Sequence, residues 1–217
     1  MTAARRRMRE AAIRLFAEKG SSQISMSELA QAAGVARGTA HNNLESPDAF
    51  FREIASELAE EMNDRITISS EGICDPAQRL AFAIRFYVRR AHEEPDWGRF
   101  LLRFAISEQA LQAIWLGPPM RDLLEGQETG VFDFRIDQTP SAVSFIGGSV
   151  LSAIMLVLDG HRTWRDAGQD AVELALRALG MPGEVARGLA GLELPLLCEW
   201  PATRKGKGKP AAASPQG

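Results

Sequence analysis

Apolar residues recur along this chain at intervals of three and four, broken by glycine and proline, and no alternating strand pattern persists anywhere. That period commits the chain to an all-α fold. Met8, Ala12, Leu15 and Phe16 make one amphipathic stripe, which Gly20 stops. Ser25 and Glu28 form a capping box that opens a short helix carrying Leu29, Ala30 and Ala33, and Gly34 closes it. Ser46-Pro47 and Asp75-Pro76 each supply an N-cap and a first-turn proline. They start a helix marked by Phe50, Ile54, Leu58 and Met62, and another running to about Glu94. Further helices are expected over Asp96–Ile106, up to Gly117-Pro118-Pro119, over Met120–Thr129, Ser141–Leu158 and Asp166–Leu179, with a turn or two over 184–192. Residues 131–140 read as a connecting loop, and the Gly/Lys/Pro/Ala composition after Pro201 reads as a disordered basic tail.

Charge divides the 217 residues unevenly. Residues 1–45 carry seven basic against four acidic side chains, residues 46–200 fourteen against twenty-four, and the tail adds four basic ones. A basic end on an acidic body points to one end that meets a polyanion. Two cysteines and three scattered histidines leave no metal constellation and no disulfide framework, and no cofactor motif occurs. Arg5, Arg6, Arg7 and Arg9 lead into an amphipathic run, unlike a secretion signal, so a cytoplasmic protein is expected. Ser141–Leu158 is long and uncharged enough to raise a membrane span. Its serines and glycines, without aromatic belts or basic flanks, favour a soluble helix covered by a partner.

The informative stretch is Ser25 to Leu44. Ala30 is small where a second helix presses in, Gly34 sits in the turn, Val35 plugs the corner, and Ala40 and Leu44 face inward. This is the packing of a helix-turn-helix. Its second helix offers Arg37, Thr39, His41, Asn42 and Asn43 to a groove, where Arg pairs with guanine and Asn with adenine. Ser25 and Thr39 are phosphate donors. The alternative is a generic helical hairpin with a glycine turn.

Residues 5–62 resemble the TetR family of bacterial transcriptional regulators. The likeness rests on the first helix (Arg7–Lys19), on Ser25–Val35, on Arg37-Gly38-Thr39, and on Leu44-Glu45-Ser46-Pro47-Asp48-Ala49-Phe50. It implies a three-helix DNA-binding domain over 1–46, a larger helical effector-binding and dimerisation domain over 47–200, and the tail over 201–217. It also implies a homodimer on a palindromic double-stranded DNA operator, with a small-molecule effector releasing a repressor. DNA-contact positions are then Arg5, Arg6, Arg7, Ser25, Ser27, Arg37, Gly38, Thr39, His41 and Asn42. The chain departs from the family in having Ala36 for a Ser or Thr, His41 for a common Tyr, Asn43 for an aromatic, and Pro47 for a phosphate-contacting lysine. These losses place more of the phosphate contact on Arg37 and the Arg5–Arg7 arm.

In the body, Met62, Phe86, Trp97, Phe104, Trp115, Met120 and Phe145 are candidate lining for a hydrophobic effector, with Arg90 at its polar end. Plain core is the alternative for each. Aromatic surface in an acidic domain suggests an effector with a polar or cationic end. Ser144, Gly148 and Ser152, with Met155, form a strip where a second helix can approach, and Ala171, Ala175 and Ala178 form another. Two such helices from each subunit make a four-helix bundle; the alternative is packing of the two strips within one chain. An enzyme is disfavoured, because no P-loop, dinucleotide fingerprint or nucleophile elbow is present. A DNA-packaging protein without an effector stays open as the second reading.

Overall fold

The computed structural model describes residues 2–19, 24–105 and 116–199, and the backbone alone at residues 41–43. Its helices are α1 (Ala3–Lys19), α2 (Met26–Ala32), α3 (Arg37–Asn43), α4 (Pro47–Ser69), α5 (Pro76–Glu93), α6 (Pro95–Phe104), α7 (Pro118–Glu128), α8 (Thr139–Leu158), α9 (Trp164–Ala178) and α10 (Gly183–Gly191), with a 3-10 turn at Ile136–Gln138. No strand occurs among the described residues. Trp115, the helix expected just before Gly117, the side chains of His41 and Asn42, and the basic tail lie outside the described residues.

Local chemistry sets most boundaries. The hydroxyls of Ser25, Ser46 and Thr163 accept from the backbone N–H of Glu28, Ala49 and Asp166 at 3.2, 3.1 and 3.1 Å, and Asp75 accepts from Ala77 at 2.9 Å. Thr163 is why α9 starts at Trp164, ahead of the expected Asp166. Pro140 in its first turn likewise lets α8 begin at Thr139.

Helix α5 is the axis of the body, packed against α6, α7, α8, α9 and α10. It buries Leu80, Phe82, Ile84, Phe86, Tyr87 and Val88 around its whole circumference, which the sequence pattern anticipates for a helix covered on every side. Gly98 of α6 allows close approach, since a Cβ there would stand 2.9 Å from the Cβ of Ala91. Helix α8 is apolar enough in composition to cross a membrane, with a mean hydropathy of 2.1 in its most apolar 18-residue stretch. Val143, Ile146, Val150 and Ile154 account for one face, buried where α8 packs on α5, α6, α7 and α9. The N-terminal unit packs α2 on α1 and α3 on α2, and α1 meets the body through α4 and α6.

One buried arginine ties the entry of α5 to α7. Arg79 donates to Asp122 Oδ1 at 2.8 Å, Glu125 Oε2 at 2.5 Å, and the carbonyls of Ile73 and Cys74 at 2.9 and 2.8 Å. Burial opposes its charge, yet the carboxylates of Asp122 and Glu125 outweigh burial and hold the guanidinium above its usual range. Arg79→Ala strands Asp122, which is 1% exposed, with only the half-exposed Arg121 beside it. Unfolding in urea, followed by circular dichroism, is expected to show a loss of about 3–5 kcal/mol. A loss under about 1 kcal/mol would mean that Arg121 and water compensate.

Candidate nucleic-acid interface and effector site

Helices α2 and α3 meet at a turn whose geometry requires glycine. Gly34 has φ +62°, and the N–H of Val35 then closes onto the carbonyl of Ala30 at 3.0 Å. Ala30, Ala33, Ala40 and Leu44 are buried between the helices, leaving Arg37 and Gly38 exposed and Thr39 half-buried on the outer edge of α3. A Cβ at Gly38 would meet nothing within 4 Å, so backbone is presented there with open space before it. Ala36, at the N-cap of α3, gives no side-chain cap. Ser25 is exposed and Ser27 half-buried on α2's first turn. Lys19 and Glu28 pair at 2.5 Å between α1 and α2; the shared hydrogen bond raises the lysine and lowers the carboxyl.

The N-terminal arginines divide. Arg6 and Arg7 are exposed, with Arg7 Nη1 3.5 Å from the carbonyl of Gly34. Arg5 is a correction: its guanidinium is ion-paired with Glu53 of α4 and lies 6.0 Å from the Phe50 ring centroid, so it faces the protein's own α4. Arg9 likewise donates to Glu57 at 3.3 Å and Glu61 at 3.0 Å.

In the body, Met62, Arg90 and Trp97 come together, but as an internal tie. Arg90 is 3% exposed; its Nη2 donates to Glu61 Oε1 at 2.8 Å, and its Nε to Glu94 at 3.2 Å. Nη1 lies 3.6 Å from the Met62 sulfur, and the guanidinium carbon sits 4.6 Å from the Trp97 centroid. Trp97 stacks on Tyr87 with centroids 6.2 Å apart. Arg90 is therefore corrected from a ligand-orienting end to a saturated structural cation.

The remaining candidates disperse. Phe104 belongs with Phe16, Phe51 and Phe100 in an aromatic cluster spanning α1, α4 and α6, with centroids 4.7 to 5.6 Å apart. Phe86 packs near Phe82, and Met120 is half-buried. Phe145 is 47% exposed on the outer face of α8, alongside exposed Ser144, Gly148, Ser152 and Met155. The same helical stripe that looked apolar in sequence points it outward. Ala171 and Ala175 are also corrected: both are buried inside the protomer, where α9 packs on α5 and α8. Ala178, the third residue of that strip, is exposed, and so is Leu174.

An apolar cleft does exist between α5, α7 and α8, lined by Leu80, Ala83, Ile84, Tyr87, Pro119, Ile146 and Val150. It is nearly closed, at about 10 Å³. Burial pushes the Tyr87 phenol above its ordinary range, keeping it neutral. Leu80, Ile84 and Tyr87 were visible in the sequence only as part of an α5 that is apolar all round. Glu61 carried no sequence signal, because a lone glutamate among charged neighbours on a long helix reads as a solvated face.

Comparison with known proteins agrees with this geometry. Residues 9–54 match the bacterial regulatory proteins of the tetR family, and residues 75–191 match the tetracyclin repressor-like C-terminal domain. An HTH-type transcriptional regulator of Mycobacterium tuberculosis is 28% identical over 89 residues, covering 41% of this chain and 44% of that protein; the match thus spans under half of the relative. The structure of RolR bound to resorcinol is 28% identical, covers 90% of this chain and 96% of RolR, and superposes with a TM-score of 0.68. FadR of Bacillus subtilis, in complex with stearoyl-CoA, shares the fold at 18% identity and a TM-score of 0.67, over 79% of this chain and 97% of FadR. Members of this family regulate transcription and are not enzymes. Both matched segments, the helix-turn-helix and most of the helical body, lie in one continuous order, and the chain belongs to the TetR family of bacterial transcriptional regulators.

Proposed function

We propose that the chain is a homodimeric repressor that binds a palindromic operator and is released by a small, largely apolar effector. The observation that carries the DNA-binding part is the edge of α3. Arg37 and Gly38 are exposed there, while Ala40 and Leu44 hold the opposite side in the core. Such an edge fits a major groove, with Arg37 on a base, Gly38 close to the backbone, and Ser25, Ser27, Arg6 and Arg7 at phosphates. Thr39, His41 and Asn42 complete the reading edge by their places on α3. Arg37→Ala removes a bidentate base contact and is expected to weaken operator binding by about 1–3 kcal/mol, with random DNA much less affected. Gel-shift titrations on both DNAs check this. Equal losses would make Arg37 a phosphate contact, and operator binding no tighter than random would favour a packaging protein.

The effector is assigned to the cleft between α5, α7 and α8. Its walls are apolar, Tyr87 supplies a neutral phenol, and its closed volume means that a ligand must part the helices. A ligand shifts only an equilibrium between states it binds unequally, and a cleft that is shut without it meets that condition. Parting α5 from α7 is transmitted to α4 through Arg90 and Glu61. Resorcinol, which RolR binds, is the first probe, followed by other compact phenols. Binders seen by tryptophan fluorescence are expected to release the operator in the same concentration range. Compounds that bind yet leave operator affinity unchanged would refute the coupling.

The dimer is assigned to the outer face of α8, where Ser144, Gly148, Ser152, Met155 and also Phe145 are exposed and a Cβ at Gly148 meets nothing within 4 Å. Leu174 and Ala178 extend this face onto α9. Small residues between apolar ones let a second backbone approach. Gly148→Leu overpacks both halves of a two-fold interface, costing about 1–3 kcal/mol at each. Analytical ultracentrifugation is expected to show a weakened dimer at unchanged helical content; an unaltered dimer would place the interface elsewhere.

A further inference from the structure

A cavity of about 500 Å³ opens between the C-terminal half of α5, the start of α9 and the segment following α10. It is separate from the apolar cleft. Arg85, Arg89 and His92 recur at i, i+4 and i+7 and so occupy the face of α5 roughly opposite Leu80, Ala83, Ile84 and Tyr87. Its lining is net cationic: the guanidiniums of Arg85, Arg89 and Arg165 outnumber its two carboxylates, and Arg89 and Arg165 lie 5.5 and 4.4 Å from the Trp164 centroid. Glu93 and Glu193 also line it, but Arg89 engages Glu93 at 2.7 Å. Arg165, whose guanidinium carbon sits 4.4 Å from the Trp164 centroid, makes no ion pair among the described residues.

Arg85 is the decisive group. It is 5% exposed, and burial lowers its basicity. Nη1 donates to the carbonyl of Leu192 at 2.5 Å, while the buried Nε finds no partner among the described residues. Nη2 likewise donates to no acceptor among the described residues. The Nε–Nη2 edge is the side of a guanidinium that pairs with both oxygens of a carboxylate or phosphate. A buried cation with that edge unpaired is costly unless an anion completes it. We propose that this cavity is a second ligand site, binding a small molecule through a carboxylate or phosphate group held by Arg85, with Arg165 at the rim. Such a ligand would join α5, α9 and the segment after α10, independently of whatever enters the apolar cleft.

The test uses the full chain with sodium benzoate and inorganic phosphate as probes, at constant ionic strength, against benzamide as a neutral control. Calorimetry is expected to show saturable binding of one or both anions and none of benzamide. Whichever anion binds more tightly identifies the headgroup. Arg85→Met keeps the side-chain stem and removes the charge; it is expected to lower anion affinity at least about tenfold. Arg165→Ala, at the exposed rim, should lower it less and leaves the core intact if Arg85→Met unfolds. Anion binding is also expected to change tryptophan fluorescence, and Trp164→Phe should abolish that change while the heat of binding persists. No saturable binding of either anion at millimolar concentration, or binding unchanged in both arginine variants, would overturn the proposal. Operator release by phenols tests the apolar cleft separately, so either reading can fail without the other.

Discussion

The carboxylate of Glu61 joins the DNA-binding end to the body. It is 8% exposed, and it accepts from Arg9 of α1 at 3.0 Å, Arg65 of α4 at 3.4 Å and Arg90 of α5 at 2.8 Å. A lone buried carboxylate would be strongly disfavoured, and so would the buried Arg90; each makes the other tolerable. Arg90 in turn reaches Glu94 and the face of Trp97 at the start of α6. Three helices and the entry to a fourth therefore share one charge cluster, and none can shift without changing the solvation of the others. The Phe16–Phe51–Phe100–Phe104 cluster makes a second, apolar link between α1, α4 and α6, and Arg103 caps the end of α1 by donating to the carbonyls of Ala17 and Glu18 at 3.1 Å each.

Helix α5 gives the body two unlike faces on one rod. Leu80, Ala83, Ile84 and Tyr87 meet α7 and α8 across a nearly closed apolar cleft, while Arg85, Arg89 and His92 face the cationic cavity beside α9. Arg79 and Arg90, near its two ends, are neutralised by carboxylates from α7 and α4. A helix so thoroughly covered keeps its three buried arginines only because each finds an oxygen: Asp122 and Glu125, Leu192, or Glu61 and Glu94.

Much of this architecture was legible in the sequence because it is written locally. Ser25 with Glu28, Ser46-Pro47, Asp75-Pro76 and Gly34 specify helix ends by hydrogen bonds and dihedral angles within a few residues. The helix-turn-helix is legible for the same reason, since Ala30, Gly34 and Ala40 must all be small at one crossing. What periodicity leaves undetermined is which neighbour covers an apolar face. Phe145 and Val143 stand two residues apart on α8, and only packing decides that one is out and the other in. Ala171 and Ala175 look like an open strip until α5 lies across them. Arg5 looks like a free arm until Glu53 is seen beneath it, a pairing across 48 residues that no local pattern encodes.

That pairing also reshapes the electrostatic footprint read from composition. The basic excess of residues 1–45 includes Arg5 and Arg9, yet both are committed to Glu53, Glu57 and Glu61. Among the described residues of that segment, the basic side chains left without an ion pair are Arg6, Arg7, Arg14 and Arg37. Each phosphate neutralised contributes to both affinity and salt dependence, so each arginine held by α4 subtracts from the charge open to a polyanion. The acidic stripe of α4 thereby serves two ends: it anchors α1 to the body and it trims the unspecific attraction of the arm. Any change in α5 that disturbs Arg90 alters the field around Glu61 and hence the hold on Arg9, so α1, α4 and α5 share one charge cluster.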